Sequence, residues 1–239
     1  MSNGLVIWEG ASLLNGKPVV VIATGIREVS GNQKTGDMIQ TWILPQRVKP
    51  HVAFRTGYGE AVCGDCPLQK GGCYVDVAKA PLAVWGAYKR GSYSQFQIGD
   101  LKGRDVRFGS FGDPAAVPTW VWGTLASEAR SVTGYTHAWR TADPRLKGLV
   151  MASCDRPEDV AEARALGYRV FLITHPDGTD RIPPSMVPCP SKQGARCQDC
   201  GLCNGKGEKD NRKSVYIPAH GIAPKLHAFR KMRDSLPVL

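Results

Sequence analysis

Seven of the eight cysteines in this 239-residue chain fall into two short groups, and no other feature restricts its fold so strongly. Cys63, Cys66 and Cys73 stand in CGDCPLQKGGC; Cys189, Cys197, Cys200 and Cys203 stand in CPSKQGARCQDCGLC. Thiols this dense either pair as disulfides or hold metal, and C-x2-C spacing suits a metal better than a bridge. No stretch resembles a signal peptide, and no apolar run approaches the ~20 residues of a membrane span. The expected setting is therefore a reducing cytoplasm, with metal-bound thiolates and no membrane partner.

The two groups differ by one thiol, and that difference carries the chemistry. The four-cysteine group reads C-x2-C-x2-C with a fourth thiol a short loop upstream. Bacterial ferredoxins use that run for a cubane, so a [4Fe–4S] cluster is expected there. Zinc is the alternative, because tetrahedral four-thiolate sites also use C-x2-C pairs. The group of Cys63, Cys66 and Cys73 leaves one coordination position unfilled. As a zinc site it needs a fourth ligand, His51 or another histidine. As a second [4Fe–4S] cluster it leaves one iron free to take a substrate or cofactor.

Charge points to the partner. Lys and Arg exceed Asp and Glu by 31 − 21 = 10, an excess that favours a polyanion, here a nucleic acid or nucleotide. Trp120, Trp122, Trp139 and Tyr135 are candidates to stack on bases, and Lys225, Arg230, Lys231 and Arg233 to meet phosphate.

The order of elements sets the fold class. Residues 18–26 and 38–44 are β-branched apolar runs around a turn-rich loop, which predicts a β-hairpin. Residues 76–90 read as a helix broken at Pro81. From residue 105 strands alternate with helices: strand 105–110, helix 118–132, strands 134–139 and 146–154, strand 169–174, strand 214–221 and a basic helix near 224–234. Between the fourth and fifth of these, Asp155 reads as the N-cap of a helix with Glu158 completing a capping box. Such alternation predicts an α/β protein: a partial (β/α) barrel over residues 61–239 carrying both cysteine groups, preceded by an N-terminal β-hairpin region over residues 1–60. Ligands of such sheets sit at the carboxyl ends of the strands. There the sequence places Ser110 and Asp113, His137 and Trp139, Cys154 and Asp155, His175 and Asp177, Cys189, and His220. Asp113, His137 and Cys154 are the catalytic candidates; a turn former, a satisfied histidine and a packed small residue are their structural alternatives.

The three-cysteine loop, GSFGDPAAVP at a strand end, and the β–α units that follow resemble small proteins of tailed-phage genomes. These are similar in turn to the spore photoproduct lyase branch of the radical-SAM superfamily. The resemblance spans residues 60–190. That branch carries Ser-x-x-Asp-Pro after its second core strand, and Ser110, Asp113 and Pro114 match it. The resemblance implies an S-adenosylmethionine pocket bordered by Ser110, Gly112 and Asp113 beside a cluster on Cys63, Cys66 and Cys73. It implies a radical-SAM-like enzyme acting on a nucleic acid base or nucleotide, in host cytoplasm if phage-encoded. The chain has C-x2-C-x6-C where that superfamily has C-x3-C-x2-C. The alternative is a non-enzymatic nucleic-acid-binding protein stabilised by zinc or iron–sulfur centres.

Overall fold

A computed structural model describes residues 2–28, 31–207 and 210–235. Ten strands form one sheet: β1 (Gly4–Ala11), β2 (Pro18–Thr24), β3 (Ile39–Pro45), β4 (Ser94–Gln95), β5 (Asp105–Phe111), β6 (Ser131–Thr136), β7 (Met151–Cys154), β8 (Val170–Thr174), β9 (Met186–Pro188) and β10 (Ser214–Pro218). Their order is β4-β1-β2-β3-β5-β6-β7-β8-β10-β9. Only β1–β2 and β2–β3 are antiparallel; every other pairing is parallel. The fold is α/β, mostly parallel, with an antiparallel N-terminal hairpin. Among the described residues no pairing joins β4 to β9, so the sheet has two ends.

The helices are α1 (Pro50–Ala53), α2 (Glu60–Cys63), α3 (Ala80–Lys89), α4 (Thr119–Glu128), α5 (Asp159–Ala165), α6 (Cys197–Cys200) and α7 (Ala223–Ser235). None among the described residues is long and apolar enough to cross a membrane. In β2, Val19 to Ala23 are all fully buried, so both faces of that strand are covered. The boundary after residue 60 is no gap in the sheet: β3 pairs with β5, and one core joins Val20 and Ile43 to Phe108 and Trp122.

Side-chain alternation gives β6, β7, β8 and β10 two distinct faces. Ala152, Cys154, Val170 and Leu172 pack with Val160 and Ala163 of α5. Tyr135, Met151, Phe171 and Val215 point the other way and pack with Cys189, Leu202 and Cys203. One face is a helix face and the other a cysteine face.

Several elements differ from what the sequence predicts: the helix expected over 76–90 spans only Ala80–Lys89 with Pro81 in its first turn, and the strands expected to reach 139 and 221 end at Thr136 and Pro218. The first strand, β1, went unread, because GLVIWEGA mixes a charge and two glycines into its alternation. The helix read to residue 132 stops at Glu128, and β6 begins at Ser131 rather than 134. Asp105 causes this: its carboxylate takes bonds from Arg130 and from Ser131 Oγ at 2.8 Å, drawing that segment into line beside β5. Within the strand read over 146–154, residues 144–148 form a 3-10 turn and β7 spans only Met151–Cys154. Asp155 caps nothing, since α5 starts four residues later and its carboxylate turns toward His137.

Trp122 is fully buried, with Nε1 donating to Pro114 O at 2.8 Å, whereas Trp120 is 63% exposed. Trp122→Ala is expected to cost about 3–5 kcal/mol of unfolding free energy; Trp120→Ala is expected to stay within about 0.5 kcal/mol. Urea titration of the two variants checks this. The Asp105 carboxyl is held below its ordinary value, chiefly by the Arg130 hydrogen bond, with burial opposing. A depressed carboxyl stabilises the fold above its unfolded value of about 4 and loses that contribution as pH falls through the folded one. Asp105→Asn should therefore destabilise at neutral pH and flatten the loss of stability below about pH 4, read by thermal melts across pH.

Candidate functional site

The first cysteine group is built by a dipeptide. Gly112, at φ 87°, follows β5 so closely that a Cβ would lie 2.6 Å from Ile43 Cβ and 2.9 Å from Val62 Cγ1. Only glycine fits, and the approach lets Asp113 N donate to Val62 O at 2.7 Å. Cys63, the next residue after Val62, receives the Gly112 amide on its sulfur. Its thiol is raised well above the ordinary value by burial, then by Cys66, Cys73 and Asp113, against the pull of that amide. Burial also raises Cys73, with the Val75 amide, Cys66, His137 and Lys225 as its other influences. The three thiols are thus near enough to influence one another's protonation, and His137 bears on Cys66 and Cys73.

Asp113 is buried and fully engaged. Its Oδ1 accepts from Ala115 N at 2.9 Å and Thr136 Oγ1 at 2.6 Å; its Oδ2 accepts from His137 N at 2.7 Å. These bonds cap the turn of Pro114–Ala116 and tie the end of β5 to the end of β6. Ser110 donates its hydroxyl to Gln40 Oε1 at 2.7 Å. Asp113 borders the first group, but the polar atoms of both residues are turned to protein partners.

His137 leaves the end of β6 with its ring between Cys66 and Asp155. Burial works against a charge on this ring, and Cys66 and Asp155 favour it strongly enough to raise its value well above ordinary. Nε2 lies 3.6 Å from Asp155 Oδ1, beyond a hydrogen bond, and both atoms are shielded from solvent without a hydrogen-bond partner. Of the histidines read as a fourth ligand, His137 stands beside Cys66 and Cys73. His220 is exposed and pairs with Lys34 at 3.0 Å, and His175 faces Asp177 at 3.6 Å. Helix α7 lies over this group: Lys225 Nζ donates to Tyr74 O at 2.8 Å, Arg230 pairs with Asp177 at 2.7 Å, and Arg233 pairs with Asp180 at 2.8 Å. Three of the four basic residues read as phosphate contacts thus fasten the helix down, and Lys231 is left exposed.

The second group lies across the cysteine face. Cys197 is raised by burial, lowered by Arg107 and raised again by Cys189 and Cys200. Burial pushes the Cys203 thiol up to about 12, with Tyr135 and Arg107 opposing and Cys197 and Cys189 adding. Cys189 thus bears on both Cys197 and Cys203, and Cys200 on Cys197. The segment carrying Cys203 acts as a wedge: Gly134 N of β6 donates to Cys203 O at 3.0 Å, and Lys206 N donates to Lys147 O at 2.8 Å. Between them a Cβ on Gly205 would lie 2.2 Å from the Gly148–Leu149 backbone. As a result β6 pairs with β7 only through Tyr135 and Thr136. Arg169, unread in the sequence, anchors the wedge by donating to Leu202 O at 2.7 Å, Asn204 O at 3.1 Å and Lys213 O at 2.8 Å.

Cys154 stands on the helix face among Val160, Ala163 and Leu172, its thiol raised chiefly by burial. Trp139 is buried with Nε1 on Ser153 O at 3.2 Å, and Tyr135 stacks against Phe171 at 4.5 Å, so Trp120 is the stacking candidate left at the surface. At the amino ends of β8 and β10 a cleft of about 380 Å³ is lined by Arg164, Arg169, Lys206, Arg212 and Lys213, together with Asp210.

All eight cysteines are free thiols. Among the described residues no three His, Cys, Asp or Glu side chains are assembled into a group that holds a metal ion as it stands. Comparison with protein-family models, curated proteins and solved structures finds no match.

Because Asp113 holds four donors in the dry interior, Asp113→Ala should cost roughly 3 kcal/mol or more, the penalty of orphaning buried partners of a charged acceptor. A purely catalytic carboxylate would leave the urea midpoint unchanged, so an unfolding curve separates the two roles.

Proposed function

We propose that this chain is a nucleic-acid-binding protein stapled by two metal–thiolate centres. The first is formed by Cys63, Cys66 and Cys73 with His137, the second by Cys189, Cys197, Cys200 and Cys203. What supports the reading is that Cys66 and Cys73 are near enough to Cys63, and Cys189 and Cys200 near enough to Cys197, to bear on their protonation, with His137 near Cys66 and Cys73. Crowded, buried thiols keep their protons until a cation displaces them, so metal binding there is coupled to folding. Three thiolates and an imidazole are a complete ligand set for zinc, with Asp155 behind the imidazole to orient it. The four-cysteine run takes a [4Fe–4S] cluster, with zinc as the alternative. The nucleic-acid partner rests on the +10 charge, the basic cleft and exposed Trp120.

A second reading keeps the resemblance to radical-SAM enzymes: a sheet curled as a partial barrel, with an iron–sulfur cluster on Cys63, Cys66 and Cys73 whose open iron takes S-adenosylmethionine. One observation favours it. The three thiols sit at the carboxyl ends of parallel strands β5 and β6, where ligands of such sheets bind. The engagement of Ser110 and Asp113 by protein partners, and the placing of Cys154 on the helix face, favour the first reading.

Anaerobically purified protein is expected to carry both centres by elemental analysis, with broad absorbance near ~400 nm from the four-cysteine cluster. His137→Ala should lose the metal of the first centre and spare the second. Nucleic-acid affinity should fall steeply between about 50 and 200 mM salt. Release of 5′-deoxyadenosine from S-adenosylmethionine under reducing conditions would overturn the first reading in favour of the second, and metal-free, colourless protein would sink both.

A further inference from the structure

We propose that the cleft at the amino ends of β8 and β10 is a phosphate seat, in which Arg164, Lys206 and Lys213 at the rim and Arg169 at the enclosed base hold a phosphate group of a nucleic-acid strand. The inference rests on the nucleic-acid reading above, and goes beyond it by naming where on the sheet the polymer is held and by which of its chemical groups.

The cleft of about 380 Å³ is bordered by five cationic side chains and one carboxylate, that of Asp210. This carboxylate is already committed. Arg212 donates to its Oδ1 from the backbone N at 2.9 Å and from Nε at 2.8 Å, and pairs with its Oδ2. Another nitrogen of the same guanidinium donates to Asn204 Oδ1 at 2.6 Å. Asp210 and Arg212 therefore answer each other. The side chains of Arg164, Lys206 and Lys213 are exposed and make no hydrogen bond or ion pair among the described residues. Because β5, β6, β7, β8 and β10 are parallel, this edge of the sheet is opposite the one that carries Asp113 and His137. The cleft is thus separate from the first cysteine group.

Exposed cations alone do not make a site, and Arg169 supplies what the rim lacks. It lines the cleft yet is only 3% exposed. Its terminal nitrogens donate to neutral carbonyls, Leu202 O at 2.7 Å, Asn204 O at 3.1 Å and Lys213 O at 2.8 Å. Its Nε is shielded from solvent without a hydrogen-bond partner, and the shared Asp210 Oδ2 stands 4.0 Å away. Carbonyls satisfy donors but leave a full charge uncompensated where water is withdrawn. Ser214, also in the lining, accepts from Val170 N at 3.0 Å on its Oγ, and its hydroxyl hydrogen has no acceptor among the described residues. The cleft therefore presents positive charge and N–H and O–H donors, with its one carboxylate spent. The ligand that complements it is an anion rich in acceptor oxygens, and phosphate meets arginine and lysine in that way.

The test uses the full chain carrying Arg164→Ala/Lys206→Ala/Lys213→Ala. Arg169 is kept, because it also anchors the segment around Cys203. The control, Arg47→Ala/Lys49→Ala/Arg55→Ala, removes three exposed cations around α1 and lowers the net charge equally. Binding of short single-stranded DNA and RNA, with 5′-phosphate or 5′-hydroxyl ends, is followed by fluorescence anisotropy across a salt series. The cleft variant should bind on the order of tenfold more weakly than the control, and its plot of log affinity against log salt should be shallower by about 1. Inorganic phosphate, at ionic strength matched with chloride, should raise the melting temperature of the parent and the control but not of the cleft variant. A preference for the 5′-phosphate that the cleft variant loses puts a strand end in the seat; equal binding of both ends puts a backbone phosphate there. Equal weakening of the cleft variant and the control would overturn the proposal and leave the nucleic-acid reading standing. So would acetate that stabilises the parent as phosphate does. A parent that answers to phosphate but binds neither polymer would keep the seat and sink the nucleic-acid reading.

Discussion

The interior carboxylate of Asp113 is the constraint that the first cysteine group depends on. Backbone N–H groups that leave water must be paired, and the turn after β5 and the end of β6 meet here. Asp113 supplies the acceptors. One oxygen caps the turn after β5 and binds Thr136; the other holds the amide of His137. On the other side of the same residue its own amide fixes Val62 O, and the Gly112 amide reaches Cys63. The imidazole and the first thiol, from residues far apart in sequence, are thus set by neighbouring residues. A Cβ on Gly112 would collide with Ile43 and Val62, so the arrangement also depends on a residue without a side chain.

The second group follows a different logic. A parallel sheet resists intrusion, yet here the segment around Cys203 takes the place that β7 would fill beside Gly134. The wedge is possible because Gly205 brings backbone against backbone and because Arg169 collects the carbonyls left over. Its consequence is electrostatic. Tyr135 and Arg107 lie on this face near enough to Cys197 and Cys203 to bear on their charge, through interactions that bulk water would screen.

Local chemistry explains which elements were legible. The β-branched run of β2, the apolar stripe of α5 and the basic helix α7 could be read because each signal lies within a few consecutive residues. The α4–β6 boundary was misread because Arg130 and Ser131 answer to Asp105, which lies 25 and 26 residues upstream. Asp155 fits every local rule for a helix cap, and a tertiary neighbour, His137, outweighs them. Arg107 gave no signal, since an arginine in an alternating strand normally points to water.

The sequence by itself determined that this chain is α/β, that its hairpin precedes its parallel strands, and that seven cysteines stand in groups of four and three, because periodicity and spacing are properties of consecutive residues. Only the tertiary structure decided that His137 stands between Cys66 and Asp155, that Asp113 is committed to hydrogen bonds, that Cys154 lies on the helix face, and that Arg107 is buried against Tyr74 and Tyr135. Those outcomes turn on which side of a strand a residue faces and which distant segment covers it. A polar side chain's role depends on what shields it from water, and that shield is assembled only when the whole sheet is.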